Sequence, residues 1–156
     1  MLSKKAKYGL KALLLLARES RRGPVLVAEI AERERIPKKF LGSILLELKH
    51  RGIVHSKKGN GGGYYLGRVA AEITMGAVVR ALDGPLAPIP CVSQTAYEAC
   101  EECVSERACG VHRAMKEVRD ATARILDRLT LAQMVRDVAA DARCADSDVN
   151  ARGNCR

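Results

Sequence analysis

The sequence predicts a mainly α protein: a winged helix-turn-helix with a small β-hairpin wing, followed by a long C-terminal dimerisation helix. Three observations carry this expectation. Leu41, Ile44, Leu45 and Leu48 recur at i, i+3, i+4 and i+7 behind Pro37, which suits the start of a helix. Two β-prone runs, Ile53–Lys58 and Tyr64–Leu66, flank the glycine-rich tip Gly59–Gly63. Val111, Met115, Val118, Thr122, Ile125 and Leu129 alternate at spacings of four and three, the a/d seam of a helix that packs on a partner helix.

The elements follow in order. Ser3 to about Ser20 reads as a helix with Leu10, Leu13, Leu14 and Ala17 on one face, broken by Arg21–Pro24. Val27–Arg33 reads as a short helix with Ala28, Ile30 and Ala31 turned inward. The tight turn Glu34-Arg35-Ile36 separates it from a helix opened by Pro37, whose missing N–H costs nothing at the first helical position, and closed at Arg51-Gly52. Two short helices across a tight turn make a helix-turn-helix, whose second helix ordinarily enters the major groove. With the leucine stripe inward, Lys38, Lys39, Gly42 and Ser43 lie at the outward N-terminal end, where base edges are read. In the hairpin, Lys57 and Lys58 can neutralise phosphates. Asn60 and Gly61 lie at its tip, where small residues let backbone N–H groups approach the duplex. The glycine run is not a nucleotide-binding loop, because no Lys-Ser/Thr follows it and no helix opens behind it. Glu72–Asp83 reads as a short helix, about Arg107–Leu129 as the long one, and Thr130 to about Ala142 as a final short one.

Charge is distributed unevenly. Residues 1–68 hold 16 Lys/Arg against 5 Asp/Glu, and residues 69–156 hold 11 against 13. The whole basic excess sits in the first half, which points to a polyanion partner, most often nucleic acid; with the helix-turn-helix, double-stranded DNA is the expected one. The core is aliphatic, with no Trp and one Phe. The apolar run Leu10–Ala17 is interrupted by Lys11 and is far shorter than the roughly 18 residues that cross a bilayer. No small-residue cleavage site follows it, so the chain is expected in the cytoplasm, with no membrane partner.

Cysteines crowd one segment, PCVSQTAYEACEECVSERACGVH, which holds Cys91, Cys100, Cys103, Cys109 and His112. Such a cluster in an intracellular chain points to metal or redox chemistry before structural disulfides. Cys100-x-x-Cys103 followed by Cys109 and His112 satisfies a tetrahedral zinc site, and spacing alone favours zinc. An enzyme of the thioredoxin type is not expected, since the Cys-x-x-Cys pair lacks a strand–helix context. Cys144 and Cys155 read as ordinary tail cysteines. The chain divides into a DNA-binding domain over 1–68, a short helix and cysteine loop over 69–106, dimerisation and terminal helices over 107–142, and a disordered tail over 143–156.

The start KKAKYGLKALLLLA, the segment PKKFLGSILLELKHRGIV and above all the wing KKGNGGGYYL resemble the Rrf-two family of winged-helix transcription regulators, over about residues 1–135. The resemblance implies a homodimer on a pseudo-palindromic promoter site. It also implies an iron–sulfur cluster held by three cysteines between the short helix and the dimer helix. Cys91, Cys103 and Cys109 match those positions best. His112 matches the histidine that completes a [2Fe–2S] site in one member, and a [4Fe–4S] cluster is the alternative. The match departs from the family in two ways. Eleven residues separate Cys91 from Cys103 and include Cys100, an alternative ligand. Lys7 stands where other members place an acidic ligand, so a local fourth ligand is expected. The function implied is a DNA-binding regulator that senses iron–sulfur status, redox or nitric oxide. A zinc-stapled or thiol-redox regulator is the alternative.

Overall fold

A computed structural model of the chain describes residues 2–103 and 105–140. Helix α1 (Lys4–Arg18) starts at Ser3, whose hydroxyl accepts the Ala6 N–H at 3.0 Å and satisfies one of the helix's free donors. Its buried side, Ala6, Gly9, Leu10, Leu13 and Leu16, packs on α3 (Lys38–His50) and α4 (Met75–Asp83). The expected stripe Leu41, Ile44, Leu45 and Leu48 is fully buried against it.

Helix α2 (Val27–Glu34) differs from expectation on one residue. Ile30 and Ala31 are buried but Ala28 is not. Two residues turn a helix by about 200°, so Ala28 and Ile30 cannot share the inward face. The turn into α3 is made by Arg35 in the left-handed region, φ 53°. Around it the Ile36 N–H donates to the Ala31 carbonyl at 2.9 Å and the Arg35 N–H to Glu32 at 3.2 Å, the Schellman pattern of helix ends. The same pattern closes α3, with Gly52 at φ 66° and the Ile53 N–H donating to the Leu48 carbonyl at 2.9 Å. Pro37 caps α3 rather than opening it, and the helix proper begins one residue later, at Lys38.

Strands β1 (Val54–Lys57) and β2 (Gly63–Leu66) pair antiparallel with Val54 opposite Leu66 and Lys57 opposite Gly63. Val25 adds an isolated bridge to Tyr64, with two hydrogen bonds of 2.8 Å, so the wing is stitched to the strand-like lead into α2.

Helix α4 begins at Met75, three residues after the expected start. The Thr74 hydroxyl accepts the Ala77 N–H at 3.1 Å, and the backbone just before it is already engaged elsewhere. Leu131 donates to the Ile73 carbonyl at 2.9 Å, and Met75 donates to Leu129 at 2.8 Å. Helix α5 (Gly110–Arg128) likewise starts later than Arg107. Residues 106–108 form a separate 3-10 turn, and Cys109 is extended, φ −82°, ψ 112°. A last helix, α6, covers 131–140, where a capping box between Thr130 and Gln133 opens it and Leu131 is buried in the core. The tail expected to be disordered, 143–156, and its Cys144 and Cys155 lie outside the described residues. Among the described residues no helix is long and apolar enough to cross a membrane.

Candidate nucleic-acid interface and cysteine segment

Lys38 and Lys39 are exposed on the first turn of α3. Gly42 is half-buried, with open space where a Cβ would stand. Ser43 is exposed, its hydroxyl donating to the Phe40 carbonyl of its own helix at 2.8 Å. Phe40 is held from behind by an edge-on contact with Tyr8, ring centroids 5.9 Å apart. The wing presents Lys57, Lys58, Asn60 and Gly61, all exposed. Gly59 and Gly61 have positive φ, 89° and 70°, a turn that side-chain-bearing residues resist. Lys49 near the end of α3 donates to the Ser56 hydroxyl at 2.8 Å, which ties the helix to the wing. Helix start and wing are therefore fixed to one frame, each bearing a lysine pair.

Cys91 lies in a 3-10 turn (Pro90–Val92) and is buried, 8% exposed. Loss of hydration, then the nearby Cys100, Glu106 and Cys109, push its thiol up from the ordinary range. Cys100 is exposed, while Cys103 and Cys109 are half-buried. The Cys103 thiol hydrogen-bonds with Cys109 and with Cys100 and is pushed up to about 12. Cys109 is the N-cap of α5, and its sulfur accepts the His112 N–H at 3.4 Å. That bond and the one from Cys103 lower its pKa, as the positive end of a helix does for a thiolate. His112 Nδ1 is buried and has no hydrogen-bond partner among the described residues. Tyr97 closes the segment by donating to Glu106 at 2.6 Å, which raises the phenol pKa.

The structure thus sets Cys103 beside both Cys100 and Cys109, with His112 one helical turn beyond Cys109. Among the described residues no three Cys, His, Asp or Glu side chains converge on a point that would hold one metal ion. The donor chemistry nonetheless suits a thiolate-rich group: several thiols, one already biased to ionise, and an imidazole nitrogen left without a partner in a buried position.

Sequence reasoning missed two arginines in this half. Arg80 on α4 pairs with Asp127 on α5, and Arg119 on α5 reaches the Val92 carbonyl beside Cys91 at 2.6 Å. An arginine on a polar helix face carries no sequence signal that separates a tether from a solvated charge.

The profile of the Rrf2 family, described as an iron-dependent transcriptional regulator, matches residues 2–137. The chain belongs to the Rrf2 family. It is 42% identical over 138 residues to the rrf2-like HTH-type transcriptional regulator of Rhodobacter capsulatus, covering 86% of this chain and 92% of that one. It is 33% identical to the transcriptional regulator IscR of Serratia proteamaculans, covering 97% and 92%. Among solved structures it is similar to CymR, the global cysteine regulator of B. subtilis, with a TM-score of 0.72, 29% identity and 87% and 96% coverage. T. potens IscR gives 0.70, 28% identity and 88% of each chain. The winged-helix fold is that of these regulators, which are DNA-binding proteins and not enzymes. This Rrf2 protein is a transcription regulator.

Proposed function

We propose that this Rrf2 regulator acts in the cytoplasm as a homodimer on a pseudo-palindromic promoter site and carries an iron–sulfur cluster, [2Fe–2S] before [4Fe–4S], in its cysteine segment. Lys38, Lys39, Gly42 and Ser43 face the major groove, while Lys57, Lys58, Asn60 and Gly61 hold the flanking backbone. Cys91, Cys103, Cys109 and His112 are the ligands, with Cys100 as the alternative to one of them. The observation that carries the cluster reading is the orphaned His112 Nδ1, one helical turn from a Cys109 thiol whose pKa is lowered by its place at the start of α5.

The cluster, when bound, supplies a centre sensitive to oxidant and nitric oxide, with a potential set by its ligands. The rest is done by the chain. Cys109 and His112 belong to the start of α5, whereas Cys91 belongs to a turn that precedes it, so ligation would fix that turn against the helix. α5 carries the exposed seam Val111, Val118 and Ile125 and packs on α4, which packs on α1 and α3. A change in the segment can therefore alter how two recognition helices are set against each other. A difference of about 3 kcal/mol between two arrangements changes DNA affinity by roughly 150-fold.

The test is anaerobic purification followed by visible absorption and by iron, sulfide and zinc analysis. A brown protein with charge-transfer bands and matching iron and sulfide supports the reading. A colourless protein with stoichiometric zinc replaces it with a zinc-stapled regulator. A colourless, metal-free protein whose DNA binding follows thiol oxidation replaces it with a thiol-redox regulator.

A further inference from the structure

We infer that Arg119 is a positioning residue that holds the Cys91 turn against α5, and so sets where that thiol stands relative to the helix bearing Cys109 and His112. None of the 19 residues of α5 is fully buried. Arg119 is half-buried, and its charged side chain is only 12% exposed. Its guanidinium leaves the helix and donates to the Val92 carbonyl at 2.6 Å, 27 residues earlier in the chain. Val92 directly follows Cys91, and Cys91, Val92 and Ser93 are all buried. The Arg119 Nε donates to the neighbouring Asp120 carboxylate at 2.9 Å, which fixes the plane of the fork. A charged donor on a backbone carbonyl is among the stronger hydrogen bonds, and a bonded fork is oriented as a lone lysine ammonium is not.

The consequence is geometric. Cys91 and Val92 lie in one buried 3-10 turn, so a displacement of that turn's backbone at Cys91 carries the Val92 carbonyl, one peptide further on, with it. Arg119 converts this movement into a pull on α5. Eight residues further along the helix, Asp127 is clamped to Arg80 of α4 by two hydrogen bonds of 2.6 and 2.9 Å. α5 is thus gripped once by the cysteine segment and once by the helix that packs on α1 and α3. The link to DNA affinity rests on the proposed reading of Cys91 as a ligand; the tether itself does not.

The experiment compares the full-length wild type with Arg119→Gln and Arg119→Lys. In metal-free protein, N-ethylmaleimide labelling is followed cysteine by cysteine by peptide mass spectrometry. Arg119→Gln is expected to speed labelling of Cys91 about ten-fold, equivalent to about 1.4 kcal/mol. The exposed Cys100 should keep its rate, and Arg119→Lys should fall between the two. An unchanged Cys91 rate overturns the tether, as does equal acceleration at every cysteine, which would mean general loosening. The second measurement is the ratio of affinities of reconstituted and chelator-stripped protein for a duplex selected from random sequence by the wild type. Arg119→Gln should move that ratio toward one while iron content stays at the wild-type level, and an unmoved ratio overturns the coupling. A wild type that takes up no iron sinks the cluster reading alone, and the labelling arm still decides the tether.

Discussion

Arg80 of α4 and Asp127 of α5 meet in a two-point ion pair, Nη1–Oδ1 at 2.6 Å and Nη2–Oδ2 at 2.9 Å. Gly76 leaves the room for it, since a Cβ there would fall on the Asp127 carboxylate. The pair is part of what joins the long helix to the winged-helix half. Hydrogen bonding to Arg80 holds the Asp127 carboxyl below its ordinary 3.8. A carboxyl with a depressed folded pKa contributes stability above 3.8, and that contribution is lost as pH falls through the folded value. Both partners are about a third or more exposed, so screening limits the contribution to under about 1 kcal/mol. Asp127→Asn is therefore expected to lower the thermal midpoint at pH 7 by a few degrees at most. At pH 2 the difference between the two proteins should be smaller than at pH 7. Equal differences at both pH values would show that the charge of Asp127 is not the source.

The wing lysines give a prediction in salt dependence. Lys57 and Lys58 are exposed beside the tip, and neither forms an ion pair among the described residues. Removing one lysine that neutralises a phosphate should flatten the plot of log affinity against log salt by about 0.9. Lys57→Ala with Lys58→Ala should flatten it by up to about 2, uniformly across DNA sequences. Titration by fluorescence anisotropy at several salt concentrations measures this. A slope equal to the wild type would remove the wing from the interface.

The seam on α5 predicts the oligomeric state. Val111, Val118 and Ile125 are 63%, 46% and 65% exposed in the single chain, an arrangement that leaves a row of apolar side chains in water. Ile125→Glu with Val118→Glu should yield a folded monomer by light scattering, because two charges would be buried in a helix pair. The helical circular dichroism of the winged-helix half should persist. A double variant that remains dimeric would place the interface elsewhere.

Much of this was readable from residues, and the parts that were not share a cause. The stripe Leu41–Leu48 and the glycine run Gly59–Gly63 are local patterns, so α3 and the hairpin appear where sequence reasoning puts them. The starts of α4 and α5 shift by about three residues because caps decide them: the Thr74 hydroxyl for one and the Cys109 sulfur for the other. Both are side-chain hydrogen bonds to backbone that periodicity does not see. The crowding of thiols was legible as a spacing. The contact of Cys103 with Cys100 and Cys109, the solitary Nδ1 of His112 and the reach of Arg119 to Val92 depend on how the loop folds back on α5. No local pattern carries those.

Gly63 offers the sharpest test of how the wing is mounted. Its φ is +145°, and a Cβ there would fall on the carbonyl of Val25, which is backbone and cannot turn aside. The two 2.8 Å hydrogen bonds between Val25 and Tyr64 sit on that close approach. Gly63→Ala must lengthen or break them while forcing an unfavourable φ, and breaking each buried bond costs about 1 kcal/mol. The expected destabilisation is about 2–3 kcal/mol in urea unfolding, within the range of mutations that strain special backbone positions. Gly61 is the matched control. Its φ is +70°, yet open space surrounds the position, so Gly61→Ala meets only the left-handed penalty of about 1 kcal/mol. Both should weaken DNA binding, Gly63→Ala by tilting the whole wing and Gly61→Ala only at its tip. Equal losses of stability from the two substitutions would mean that the Val25 contact does not hold the wing in place.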